Sequence, residues 1–348
     1  MPEESIPGDV NRRLLSISVI IITHNEEKNI KESLDSLMDT DYPPERFEIL
    51  VIDASTDSTP DIAGEYDRIR LIRSKKGFSR QRNLGIEKAN YDILAFVDAD
   101  GFVAEDWLKT LNAAFQNPRV DAIGGNSFPP PKTGYFGLCV ACIGHPAGGA
   151  IGFDANVTRS EKGIEFVAGC NCAFRREALA DVGGFDPDFN DGGEDLDISR
   201  RLRQRGHYLD YIQGLNFYHI PRKNIWEYIR WNIGVGVTKY NLTRPSFIGL
   251  ILHPFFPLWS LLFLFLLIFL VRPIEILGFI LLLCWVFFLL VLYLKTKPFP
   301  LLIQRRKKIG ISLISISTVI AFLIYLRQIF IHMGQIYKFF KQKFPSGL

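Results

Sequence analysis

Ile93-Leu94-Ala95-Phe96-Val97-Asp98-Ala99-Asp100-Gly101 is an apolar run that ends in two carboxylates and a glycine. Five apolar residues in succession, without polar alternation, predict a strand buried on both faces. Once the chain leaves such a strand, Asp98 and Asp100 can turn toward one point. Two hard oxygen donors at a strand end suit Mg²⁺ or Mn²⁺ carrying a substrate diphosphate. A plain turn is the other reading, because Asp and Gly are ordinary turn residues.

The segments on either side repeat the pattern. Ser16 to Ile22 predicts a buried first strand, followed by Thr23-His24-Asn25-Glu26-Glu27 and a helical spacing through Ile30, Leu34 and Leu37. Phe47 to Ile52 predicts a second strand, ending in Asp53-Ala54-Ser55-Thr56-Asp57. Ile69 to Ile72 predicts a third, leading through Lys75-Lys76-Gly77 to a helix over Ser79–Ala89. Strands alternating with helices imply an α/β fold with a parallel, doubly wound sheet, and such sheets bind ligands at the carboxyl ends of their strands. Asp53 at a strand end can accept hydrogen bonds from a base or ribose, or serve as a turn carboxylate. Asp57 with Ser55 and Thr56 reads as a helix cap. Arg80, Arg82 and Asn83, just after a glycine, either face diphosphate oxygens or form a solvated helix face.

Further along, Phe166 to Arg175 reads as a strand entering a helix, and Gly192-Gly193-Glu194-Asp195-Leu196-Asp197 as glycines before an acidic helix start. Glu194 and Asp195 at the positive end of a helix compensate its dipole, whatever else they do. Asp197, on another side of that helix, reads as structural. His219, after a strand-like run, is either structural or a third metal or diphosphate ligand.

Val19 to Glu27, Val51 to Asp57, Arg82-Asn83-Leu84-Gly85 and Phe96 to Asp100 together resemble family 2 glycosyltransferases of the GT-A fold, in the family's order, over about residues 16–245. The resemblance implies a nucleotide-sugar donor held by Thr23, Asn25, Glu26, Asp53, Arg82, Asn83 and Asp98. It implies a cation, Mg²⁺ or Mn²⁺, at Asp98 and Asp100 with His219. Gly193-Glu194-Asp195 is similar to the family's acceptor motif, so Asp195 becomes the general base, Glu194 shapes the acceptor pocket, and Asn171 lies on the acceptor side. Glu227-Tyr228-Ile229-Arg230-Trp231 resembles the Gln-x-x-Arg-Trp motif of the family's membrane-bound polysaccharide synthases, which puts Arg230 and Trp231 along an acceptor channel. The sequence departs from the family at Asp53-Ala54, where two adjacent acids are usual, and at Glu227, where the synthases carry Gln.

Composition divides the chain. Its 348 residues carry a net charge of +3 and no basic stripe interleaved with aromatics, so nothing points to nucleic acid. From Ser246 to Leu294 the only charged residues are Arg272 and Glu275, and Ile309 to Leu326 has none. These runs predict membrane spans near Phe247–Val271, Ile274–Leu294 and Ile309–Leu326. Residues 221–244 are basic, aromatic and amphipathic, as an interfacial helix is. The predicted organisation is a tail over 1–15, a catalytic domain over 16–220, an interfacial segment over 221–245 and a membrane anchor over 246–348. Basic residues flanking the hairpin of spans place the catalytic domain in the cytoplasm of a multi-pass membrane protein, although three full spans would leave Lys338, Lys341 and Lys343 outside. No signal peptide is expected. The five cysteines read as buried free thiols.

The expectation is a membrane-anchored inverting glycosyltransferase acting on a lipid-linked acceptor, a polyprenyl phosphate or a lipid-linked glycan. Two alternatives stand beside it. A polysaccharide synthase would need more spans, or a homo-oligomer, to build a channel. A non-catalytic membrane component retaining the fold would have no use for Asp195.

Overall fold

The computed structural model of the chain describes residues 14–143, 163–246, Leu250 and 313–343. Its first half alternates as the apolar runs dictate: β1 (Ile17–Thr23), α1 (Ile30–Met38), β2 (Phe47–Asp53), α2 (Thr59–Gly64), β3 (Ile69–Arg73), α3 (Phe78–Lys88) and β4 (Ile93–Asp98). Then follow β5 (Gly101–Val103), α4 (Trp107–Phe115), β6 (Ala122–Phe128), α5 (Tyr135–Ile143), β7 (Asn171–Arg175), α6 (Arg176–Asp181), α7 (Glu194–Arg205), β8 (Leu209–His219), α8 (Ile225–Thr243) and α9 (Leu313–Lys343).

All eight strands join one sheet in the order β3-β2-β1-β4-β7-β6-β8-β5. β1, β2, β3 and β4 pair in parallel; β1, β2 and β4 are the central, doubly buried runs, and β3 is the half-exposed edge. The other half mixes directions, within the mostly parallel sheet that the GT-A resemblance implies. β7 runs antiparallel to β4 and to β6, and β5 antiparallel to β8, whereas β6 and β8 are parallel. The sheet is mostly parallel, with an antiparallel insertion at its centre.

Both faces are covered. One packs Val19, Val51, Ala95, Trp107 and Leu111 into a single core, and the other packs Ile20, Leu50, Phe96, Phe174 and Phe185. Phe96, Phe174 and Phe185 meet edge to face at 5.6–6.2 Å, which fixes β4 against β7 and the turn before α7. Side chains of this size contribute about 1.5–3 kcal/mol each when fully buried.

A second layer lies to one side. α9 packs along α8 and touches α5, where Cys139, Val140, Cys142, Tyr228 and Leu323 form a small core. Tyr228 donates its hydroxyl to the Leu323 carbonyl at 3.0 Å. The predicted interfacial helix is therefore α8, with Trp226 at 69% exposure on one side and Tyr228 fully buried against protein on the other. The first two predicted spans lie outside the described residues. Of the third, residues 313–326 form the start of α9, which continues through Arg327 to Lys343. Among the described residues, no helix is long and apolar enough to cross a membrane. Cys139, Cys142, Cys170 and Cys172 are buried free thiols, and Cys284 lies outside the described residues.

Candidate active site

The carboxyl ends of β1 and β4 open into a cleft of about 810 Å³. β4 delivers Asp98 at its last position, and Asp100 stands just before β5. β5 lies antiparallel on the end of β8, pairing Gly101 with His219. A Cβ at Gly101 would come within 2.5 Å of the Tyr218 carbonyl, so only glycine lets the two strands approach this closely. The result sets His219 beside both acids, with Nε2 3.2 Å from Asp100 and 3.6 Å from Asp98. One ligand atom from each of Asp98, Asp100 and His219 lies within 4.8 Å of the others.

This cluster attracts positive charge. Burial opposes ionisation of His219, but Asp100 and Asp98 outweigh it and raise the imidazole above its ordinary value. Burial opposes ionisation of Asp98 too, yet hydrogen bonding from His219 and the nearby Arg82 hold its carboxyl below the usual range. Arg222 adds a contact to Asp100 at 3.4 Å. Two carboxylates and one imidazole converging at a strand end fit a divalent cation of the Mn²⁺ or Mg²⁺ type.

The Gly193-Glu194-Asp195 motif faces the same cleft. Gly192 and Gly193 take φ of 117° and 89°, a left-handed turn that L side chains avoid, and α7 starts immediately after it. Glu194 and Asp195 therefore project from the first turn. The Asp195 Oδ2 accepts from the Gly169 amide at 3.1 Å. Burial pushes the Asp195 carboxyl above its ordinary range, and pushes Glu194 up to about 7 against the opposing charge of Arg82. Glu26 is likewise raised to about 7, by burial and then by Asp100.

Arg82 ties the two halves together. It is 2% exposed and donates to Glu194 and to the Gly169 carbonyl, and its Nη2 lies 3.7 Å from Asp98. Its guanidinium sits near the Phe78 and Phe185 rings at 5.8 and 5.6 Å. The arginine is thus a buried brace between the Asp98, Asp100 and His219 cluster and the start of α7.

Thr23, Glu26, Arg82, Asp98, Asp100, Glu194, Asp195, His219 and Trp231 all line the cleft. Five other residues assigned to the donor or acceptor side from the sequence do not. Asp53 is fully buried and accepts from Thr23, Ser55 and Arg73, so its carboxylate is spent inside the protein. Asn25, at φ 62°, accepts from the Thr56 amide and staples two loops. Asn83 exchanges hydrogen bonds with the Phe185 backbone. Asn171 is fully buried, accepting from Trp107 and donating to the Asn126 and Leu215 carbonyls. Arg230 is exposed on α8, away from the cleft. Asp57 caps α2 through the Thr59 amide at 3.0 Å.

The sequence reading missed one wall. Tyr337, Lys338 and Lys341 of α9 line the cleft, more than a hundred residues after Asp195. Lys338 forms an ion pair with Asp191 at 3.0 Å. The spacing of the two lysines, three apart on one helix, was visible, but nothing local said which surface they would meet.

Comparison with known proteins agrees with this geometry. Residues 18–183 match the model of glycosyl transferase family 2. Glycosyltransferase AglE of Haloferax volcanii is 28% identical over 234 residues, covering 63% of this chain and 71% of that protein. The Methanococcus voltae dolichyl N-acetyl-alpha-D-glucosaminyl phosphate 3-beta-D-2,3-diacetamido-2,3-dideoxy-beta-D-glucuronosyltransferase is 25% identical over 262 residues, covering 71% of this chain and 80% of that one. Among solved structures, the mannosyltransferase PcManGT of Pyrobaculum calidifontis, in complex with GDP-Man and Mn²⁺, superposes with a TM-score of 0.54 at 19% identity. That alignment covers 99% of this chain and 91% of PcManGT, a likeness of fold.

Proposed function

We propose that this glycosyltransferase, with a family 2 domain at residues 18–183, moves a sugar from a nucleotide diphosphate donor onto a lipid-linked acceptor with inversion. The observation that carries the reading is the meeting of two functions in one cleft. Asp98, Asp100 and His219 converge within 4.8 Å, and Glu194 and Asp195 face the same space.

In this reading Asp98, Asp100 and His219 hold the cation, which when bound offsets the negative charge gathering on the departing diphosphate. Asp195 takes the proton from the acceptor hydroxyl as that oxygen attacks the sugar from the side opposite the diphosphate. The Gly169 amide fixes the carboxylate's direction, and burial keeps it more basic than an exposed aspartate. A phosphate acceptor arrives without a proton to lose, and Asp195 would then orient it. Glu194, held by Arg82, closes the acceptor side. Thr23, Glu26 and Lys76 lie on the donor side of the cleft.

The lipid-linked acceptor is supported by the apolar runs of residues 246–294 and by the relatives' names, one of which specifies a dolichyl phosphate-linked sugar. The basic residues beside those runs favour a catalytic domain on the cytoplasmic face of the cell membrane. The test is transfer by the purified full-length protein in detergent, screened against uridine and guanosine diphosphate sugars with a membrane lipid extract. One donor should label the lipid phase, and only with Mn²⁺ or Mg²⁺ present. No labelling from any donor, or labelling that persists in excess chelator, contradicts the proposal.

A further inference from the structure

The cleft has a second electrostatic side. Its floor is acidic, built from strand ends, and its opposite wall is helical and basic. On that wall Lys338, only 18% exposed at its side chain, is pinned to Asp191, three residues before Glu194. α8 grips the same loop: the Thr238 hydroxyl donates to the Asp191 carbonyl at 3.4 Å, and its side chain fills the space over Gly192 and Gly193. The lysine wall and the loop that carries the base are one packed unit. Lys341, three residues further along α9, lies over the Tyr337 ring at 5.6 Å and has no carboxylate within ion-pair distance among the described residues. Trp231 and Val237 of α8 line the same cleft, with Trp231 further along the helix.

The donor diphosphate is served by the cation cluster at the strand ends. Positive charge beside the base loop is therefore placed for an anion that arrives with the acceptor. We infer that Lys341, with Lys338 beside it, is a subsite for a phosphate group carried by the acceptor on an apolar chain, whose first carbons lie against Tyr337. An ammonium on a flexible stem meets such a phosphate as a point charge without a fixed geometry. This inference rests on the glycosyltransferase reading for its account of the donor side.

The test uses the full chain in detergent, saturated with nucleoside diphosphate and Mn²⁺, and titrated with farnesyl phosphate, farnesol and inorganic phosphate. Farnesyl phosphate should bind, farnesol should bind at least ten-fold more weakly, and Lys341→Met should weaken farnesyl phosphate about five-fold. Nucleotide affinity should stay within about two-fold, and Lys343→Met, outside the cleft, should change neither. If inorganic phosphate binds as well as farnesyl phosphate, the subsite stands as an anion site and the apolar contact with Tyr337 is overturned. Equal binding of farnesol, an unchanged Lys341→Met, or a parallel loss of nucleotide affinity overturns the subsite. Absence of nucleotide binding in the unmodified protein would instead overturn the donor reading.

Discussion

Asp195 and Asp197 stand two residues apart on α7, and their surroundings divide their work. Asp195 faces the cleft with one oxygen on the Gly169 amide. Asp197 is 2% exposed and is bound by Arg200 at 3.0 Å and Arg201 at 2.7 Å. Asp195→Asn should keep the fold and the donor affinity and lose about 10²–10⁴ in turnover, the usual worth of a positioned base. Asp197→Asn should cost about 1–3 kcal/mol of stability and leave turnover per folded molecule nearly unchanged. Thermal melts and steady-state rates on the two variants separate the cases, and the reverse pattern would contradict the assignment. Because burial raises the Asp195 carboxyl, turnover should also fall on the acid side at a higher pH than an exposed aspartate would need. At this scale the sequence was legible where a motif ends a strand or starts a helix, as with Asp98 and Asp195. It was not legible for Asp53 and Asn171, whose polar atoms are spent on partners far away in the chain, Arg73 and Trp107 among them.

At the scale of elements, α8 and α9 form the helical wall of the cleft, and they cross at two glycines. A Cβ at Gly334 would sit 2.0 Å from the Ile233 carbonyl oxygen and 3.0 Å from the Gly236 Cα, so the backbones touch there. Gly334→Val should force the helices apart and cost about 2–4 kcal/mol, with the acceptor side losing more than the donor side. Proteolysis should then cut α9 free of the catalytic domain while Mn²⁺-dependent nucleotide binding survives; an unchanged melt and digestion pattern would show that the crossing does not hold the wall. The parallel strands β1, β2 and β4 were readable because each is an apolar run with its own turn signals, and β3 because Ile69, Leu71 and Ile72 stand between such signals. The antiparallel entry of β7 was not, since Asn171–Arg175 reads as a strand without saying which neighbour it joins. α9 was harder still: its apolar first half predicts a membrane span, and only its packing on α8 shows its basic second half turned into the cleft.

For the whole molecule, three parts line the cleft: the ends of the parallel strands β1 and β4, the start of α7, and the helical wall of α8 and α9. Arg82 joins the first two, and the Lys338–Asp191 pair joins the last two. The change from a mixed composition to strongly apolar runs after Ser246 is visible in the sequence. The return of the final helix to the catalytic domain depends on a contact between residues 191 and 338, which no local pattern encodes. The claim on which everything else stands is that the Asp98, Asp100 and His219 cluster binds a cation that holds a nucleoside diphosphate. Calorimetry of the purified protein with uridine and guanosine diphosphates tests it most directly. One of them should bind at least ten-fold more tightly in Mn²⁺ than in excess chelator, and Asp100→Ala in Mn²⁺ should bind as weakly as the unmodified protein does without the metal. Equal affinity with and without chelator, or full affinity in Asp100→Ala, would contradict it.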